Sequence, residues 1–197
     1  MASLQDLKVV RIGLIGCGEI AQVVHIPTLL FMRQWFSITY LCDKSNDALK
    51  HCNGKLFGSA KTTTNAEELC SSALVDAVLI GNSDEYHAEH AILALKHNKN
   101  VFVEKPMALT KRDANAIIEA EKGSKGKVFV GQMRRYAAPF QQAIEEIGGR
   151  DKIQYARVRG VFAEYGRAQA TLSNIHAGII GPNSHFVSQS GNDSSTS

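Results

Sequence analysis

Val9-Val10-Arg11-Ile12-Gly13-Leu14-Ile15-Gly16-Cys17-Gly18-Glu19-Ile20-Ala21 passes from an apolar run into a glycine turn and then into helix-forming residues. A short apolar run that ends in glycines reads as a buried strand, here Val9 to Ile15. The residues after it spell G-x-G-x-x-A, a variant of the fingerprint with which a strand–turn–helix unit holds a dinucleotide. Each small residue has a mechanical reason. Gly16 permits the tight turn, Gly18 lets the backbone approach a pyrophosphate, and Ala21 keeps the following helix close to the sheet. The phosphates would sit at the start of that helix, where free N–H groups and the helix dipole favour an anion.

Strands and helices alternate outward from this point. Glu19 to about Leu30 reads as a helix that Pro27 bends or restarts. Phe36 to Cys42 is a second strand, Asn46 to Cys52 a weak helix, and Lys61 to Thr63 a short strand. Thr64 and Glu67 have capping-box spacing and open a helix through Cys70. Ala77 to Ile80 is a fourth strand. Ala88, Ala91, Ile92 and Leu95 form one apolar helix stripe at i, i+3, i+4 and i+7. Val101 to Val103 is a fifth strand. Thr110 and Asp113 again have capping-box spacing, and Ala114, Ile117 and Ile118 continue that helix's apolar face. Val128 to Gly131 is a sixth strand, and Pro139 to Ile147 a helix that Gly148 and Gly149 stop. Ile153 to Val161 reads as a strand beginning a new unit. The expected fold class is α/β: a doubly wound parallel sheet with right-handed crossovers, followed by an incomplete start of a second α+β domain.

Two further places carry chemistry on the carboxyl side of such a sheet, where ligands bind. Asp43 ends the second strand, where an acid bonds the adenosine ribose and disfavours a 2′-phosphate; the adjacent Lys44 would instead greet that phosphate. The choice between NAD and NADP therefore stays open. Glu104-Lys105-Pro106 ends the fifth strand. A lysine there can bond a substrate hydroxyl or carbonyl oxygen and, if buried, can share in proton transfer. His87 and His90 make an H-x-x-H, which reads as an exposed helix face; with no third ligand in a recognisable pattern, no metal is expected. Cys17, beside the phosphate turn, reads as packing rather than as an activated thiol.

Composition sets the class. The 197 residues suffice for one domain and part of a second. Lys and Arg total 22 against 19 acids, and the two signs are interspersed, so neither a nucleic acid nor a membrane surface is an expected partner. Cys17, Cys42, Cys52 and Cys70 have no C-x-x-C spacing and read as free thiols in a reducing, cytoplasmic setting. No run approaches a membrane span, and Met1 to Lys8 lacks the apolar stretch of a signal peptide. Residues 188–197 are almost wholly Ser, Gly, Asn, Asp, Gln and Thr and read as a disordered tail.

Gly16-Cys17-Gly18-Glu19-Ile20-Ala21, the Asn82 to His87 segment and Glu104-Lys105-Pro106 occur in order at spacings that resemble one family. That family is the glucose–fructose oxidoreductase, inositol dehydrogenase and rhizopine-catabolism group (Gfo/Idh/MocA). The resemblance covers about Val9 to Ile147. It implies that Gly16, Gly18 and Ala21 line the pyrophosphate turn, with Glu19 and Ile20 adding backbone contacts. It implies further that Asp43 contacts the ribose, and that Asn82 and His87 lie on the nicotinamide side. Glu104 and Lys105 would border nicotinamide and substrate, often with a cis peptide before the proline. Arg134, Arg135 and Tyr136 would stand near the crossing to a substrate domain. The cofactor implied is NAD or NADP, and Lys105 is the implied catalytic residue.

The family's substrate domain also supplies a downstream Asp and His about four residues apart, and no such pair follows the first domain here: Asp151 is followed by Tyr155, and His176 and His185 are preceded by Leu172 and Gly181. The expected organisation is a dinucleotide-binding domain over 1–148, a truncated start of a substrate domain over 149–187, and the tail. Residues 160–178 interrupt a strand-like run and read as an insertion or a retained intron. The resemblance implies hydride transfer between a nicotinamide and a hydroxyl or carbonyl carbon of a sugar, polyol, dihydrodiol or similar small molecule. The alternatives are a catalytically silent dinucleotide-binding regulator, as the family's yeast galactose-pathway repressor is, and an inactive truncated product. The expected partner is the small-molecule substrate; a full-length form would allow a homo-oligomer.

Overall fold

A computed structural model describes residues 8–155. Six parallel strands form one sheet in the order β3-β2-β1-β4-β5-β6. The strands are β1 (Val10–Ile15), β2 (Phe36–Cys42), β3 (Lys61–Thr63), β4 (Ala77–Ile80), β5 (Asn100–Val103) and β6 (Val128–Val130). The helices are α1 (Ile26–Phe31), α2 (Asn46–Lys55), α3 (Ala66–Ser71), α4 (His87–Lys96), α5 (Lys111–Lys122) and α6 (Ala138–Glu146). This is the doubly wound sheet the alternation predicts. The strand order reverses between β1 and β4, so a crevice opens beyond their carboxyl ends.

Both faces of the sheet are covered, which is why its central strands are nearly all apolar. Tyr40, Val78, Ile80, Val101 and Val103 pack with Leu69, Leu95 and Ile117 of α3, α4 and α5. Ile12, Leu14, Leu41 and Leu79 pack on the other face with Ile26 and Leu49 of α1 and α2. The alternation within β4, Val78 and Ile80 against Leu79, follows the period of two of a pleated strand. In β2 the period breaks: Ile12 pairs with Ile38 but Gly13 with Tyr40. Thr39 is therefore an extra residue, and Ile38 and Leu41, three apart, reach the same core. Gly13 has no side chain because a Cβ there would stand 2.6 Å from Leu69 Cδ2.

The first helix is not regular. Ala21–His25 is a π-helical turn, closed by the Ile26 N–H donating to the Ala21 carbonyl, and α1 restarts from it with Pro27 in its first turn. Proline has no N–H for the preceding turn, so the break that the sequence places at Pro27 takes this form. Other caps differ in detail. The cap of α3 is Asn65, whose side chain accepts the Glu67 N–H at 2.9 Å, not Thr64. Thr110 does cap α5, accepting the Asp113 N–H at 3.1 Å. Ile117 is buried but Ile118 is exposed, so the apolar face of α5 is narrower than the sequence suggests. The helix read as ending at Cys52 continues to Lys55, with Ser45 Oγ accepting the Ala48 N–H. Gly148 and Gly149 follow α6 at positive φ of 85° and 112°. Ile153, Gln154 and Tyr155 are not in a strand; the rest of that expected strand, the 160–178 segment and the tail lie outside the described residues.

Candidate functional site

Three strand ends converge on the crevice. The loop after β1 holds Gly16, Cys17 and Gly18, and Glu19 and Ile20 already belong to the helical run. Gly16 adopts φ of +97°, and a Cβ on it would lie 2.5 Å from the Asn82 nitrogen. Only glycine fits that approach between two loops. A Cβ on Gly18 would meet no atom within 4 Å, so its small size serves no packing inside the protein. Ala21 is fully buried against the sheet.

Asp43, immediately after β2, is held by two backbone donors. Its Oδ2 accepts the Cys17 N–H at 2.7 Å and its Oδ1 the Ser45 N–H at 2.8 Å. One carboxylate thus ties the glycine loop to the end of β2, and each oxygen keeps a lone pair for a ligand hydroxyl. A cavity of about 340 Å³ lies between these loops. Gly16, Asp43, Lys44, Asn82, Tyr86 and His90 are among its walls. Lys44 Nζ rests 4.6 Å from the centre of the Tyr86 ring, on the cavity's rim. Asn82 donates from Nδ2 to His90 Nδ1 at 3.0 Å, while its Oδ1 is buried without a partner.

His87 and His90 do not form an exposed face. His87 is 1% exposed. Its Nδ1 lies 2.7 Å from the Pro106 carbonyl oxygen and its Nε2 3.1 Å from that of Asn82. It braces the loops after β4 and β5 from beneath and is not among the cavity's walls. Burial lowers the titration of His90, as it does that of His25. On unfolding each imidazole returns to about 6.5. As pH falls through that value, the unfolded chain takes up protons that the folded chain refuses, and stability declines. The thermal midpoint should therefore drop between pH 7.5 and 5.5, and His90→Gln should lessen the drop. A pH-independent midpoint would contradict the buried histidines.

Glu104 and Lys105 follow β5, and the Lys105–Pro106 peptide is cis. The Glu104 N–H donates to the Ile80 carbonyl, which sets Glu104 beside the end of β4. Its Oε1 pairs with His25 Nε2 at 2.9 Å, a contact no sequence motif announced. Lys105 is exposed, so the described residues do not supply the burial that proton transfer by a lysine calls on. Arg134, Arg135 and Tyr136 lie in an exposed turn after β6, where Tyr136 stacks on Phe129 at 6.0 Å. The Cys17 thiol is pushed up, first by its hydrogen bond with Cys52 and then by burial, so the phosphate turn does not activate it. Among the described residues no three His, Cys, Asp or Glu side chains cluster as a metal site would need, and no helix is long and apolar enough to cross a membrane.

Residues 10–132 match the model of an oxidoreductase family with an NAD-binding Rossmann fold, GFO_IDH_MocA. The chain is 38% identical over 138 residues to inositol 2-dehydrogenase 3 of Saccharopolyspora erythraea, covering 69% of this chain and 40% of that protein. It is 35% identical over 135 residues to oxidoreductase P35 of Formosa agariphila, covering 68% and 41%. In structure it resembles the myo-inositol dehydrogenase of Lactobacillus casei, solved with NAD(H) and myo-inositol. That likeness has a TM-score of 0.68 at 27% identity and covers 72% of this chain and 42% of that one. The chain thus spans about 40% of the length of the relatives it matches. The match covers the six-stranded sheet with its glycine turn and its Glu104-Lys105-Pro106 strand end, and by it the chain belongs to the Gfo/Idh/MocA oxidoreductase family, of which it carries the NAD-binding Rossmann domain.

Proposed function

We propose that this chain binds NAD(H) or NADP(H) along the carboxyl edge of its sheet and forms the cofactor half of an oxidoreductase acting on a sugar, polyol or similar small alcohol. The observation that carries the reading is the open space over Gly18, together with an Asp43 held by two backbone donors and an unpartnered, buried Asn82 Oδ1. That combination fits a dinucleotide: backbone without side chain at the pyrophosphate, a fixed acid at the ribose, and a polar atom awaiting a hydroxyl or amide. Glu19 and Ile20 would add backbone contacts at the phosphates. His87 would act by bracing the strand ends, and Glu104 would border the nicotinamide. A nicotinamide cofactor supplies the hydride, and the protein's part is binding and orientation. Lys105, the candidate catalytic residue, would hold a substrate oxygen and its proton at Nζ. The relatives' names motivate the polyol class. The four free and buried cysteines support a reducing, cytoplasmic setting.

Calorimetric titration with all four nucleotide forms tests the reading, and the absence of binding by every one would end it. The same titration checks Asp43. Asp43→Ser loosens the glycine loop for both cofactors, so absolute affinities fall together; the NAD-to-NADP affinity ratio should fall in addition, by about tenfold, the worth of one charge-assisted hydrogen bond. An unchanged ratio would take Asp43 away from the ribose.

A further inference from the structure

The pairing of His25 with Glu104 lies outside every motif that placed the site. His25 closes the π-helical turn, and one extra residue per turn rotates everything after it relative to a regular helix. The imidazole of His25, the last residue of the turn, reaches the end of β5. Its Nε2 meets Glu104 Oε1 at 2.9 Å, with only 11% and 14% of the two side chains exposed. The ring stands edge-on to Phe102 at 5.7 Å, and a Cβ at Gly81 would already lie 3.9 Å from it, so packing fixes its orientation. The second Glu104 oxygen, Oε2, accepts the N–H of Lys105 at 3.2 Å. A continuous chain of hydrogen bonds therefore runs from the helix of the phosphate turn, through a carboxylate, to the backbone of Lys105.

The sheet order says which part of a ligand this chain faces. With the pyrophosphate at the β1 loop and the ribose acid at the end of β2, the adenosine half lies toward β2 and β3. The other half must then run across β4 toward β5. Burial keeps His25 in its neutral form, so its single N–H is free to donate to the Glu104 carboxylate.

We infer that His25 is a positioning residue for the nicotinamide half of the cofactor: it acts through Glu104, fixing that carboxylate and the Lys105 backbone, and does not touch the adenosine half. This rests on the dinucleotide reading above. ADP-ribose carries the adenosine half and the pyrophosphate but no nicotinamide, so it separates the two ends.

The test is calorimetric titration of the whole chain with NADH and with ADP-ribose, circular dichroism confirming that each variant folds. His25→Ala should weaken NADH binding about tenfold, the loss of one fixed, charge-assisted contact, and change ADP-ribose binding less than about twofold. His25→Gln, whose amide reaches the place of Nε2, should recover most of the NADH affinity; the shorter His25→Asn should not. In a Glu104→Ala background, His25→Ala should cost nothing further. Should His25→Ala fail to fold, the difference in NADH affinity between the Gln and Asn variants decides the matter by itself. Equal losses for both ligands, or Gln and Asn behaving alike, would overturn the inference while leaving the dinucleotide reading intact. Failure of the unaltered chain to bind either ligand would overturn both.

Discussion

Gly18→Val leaves the chain folded and removes its dinucleotide binding. The expectation follows from two facts that point the same way. Beyond its two chain neighbours, no atom of the protein stands within 4 Å of a Cβ at this position, and its φ lies outside the left-handed region. The folded state therefore accepts a side chain at the small cost of a β-branched residue at the entry to a helix. The space the valine fills is the space a pyrophosphate needs, since its phosphates must reach the backbone N–H groups of the turn. A rigid obstruction there should weaken NAD(H) by at least about 100-fold, which corresponds to about 2.7 kcal/mol. Calorimetry reads the affinity and thermal unfolding reads the fold. An intact midpoint with intact binding would move the phosphates away from this turn.

Gly16→Ala, two residues earlier, should do the opposite and damage the fold itself. The backbone there has φ of +97°, which costs an L-residue about 1–2 kcal/mol. The new methyl would also lie 2.5 Å from the Asn82 nitrogen and 2.7 Å from the Gly81 carbonyl carbon, both backbone atoms held in place by the strand end. Gly81 is tied by its N–H to the Ile15 carbonyl and Gly16 by its N–H to the Cys42 carbonyl, so neither loop yields cheaply. Overpacking of this kind adds about 1–3 kcal/mol. Urea unfolding should show a total loss of about 2–5 kcal/mol. A neutral Gly16→Ala would mean that the loops after β1 and β4 do not approach as closely as described. The pair separates two reasons for a glycine: one spared for a ligand, the other for the neighbouring loop.

Much of this was legible in the order of the residues. Strands β2 and β4 are bounded where their apolar runs end, and the G-x-G-x-x-A turn falls where a strand meets a helix. These are local properties. A period of two or of 3.6, a proline without an N–H or a glycine free at positive φ acts within a few residues, so the chain states it directly. The candidates Gly16, Gly18, Asp43, Glu104 and Lys105 could be named from residue order for a related reason, whereas Asn82 came with the family resemblance. A parallel sheet makes every strand end on the same side, so residues just past strand ends gather along one edge of it.

What tertiary structure alone decided is which side chains meet across that crevice. His25, at the end of a π-helical turn, and Glu104 are 79 positions apart and join only in the folded chain. Asp43 spends both oxygens on the backbone of two loops, one of them 26 positions away. His87 reads in sequence as one half of an exposed H-x-x-H and is a buried brace, because the loop carrying Pro106 folds over it. The extra residue Thr39 in β2 likewise depends on a pairing register that neither strand specifies by itself. Sequence by itself determined the six strands of the sheet, most of its helices and the edge at which a ligand is expected, since local conformational preference and chain direction suffice for those. Orientation within the site was settled by packing, because hydrogen bonds and contacts between distant residues exist only once the sheet has brought them to within a few ångströms of one another.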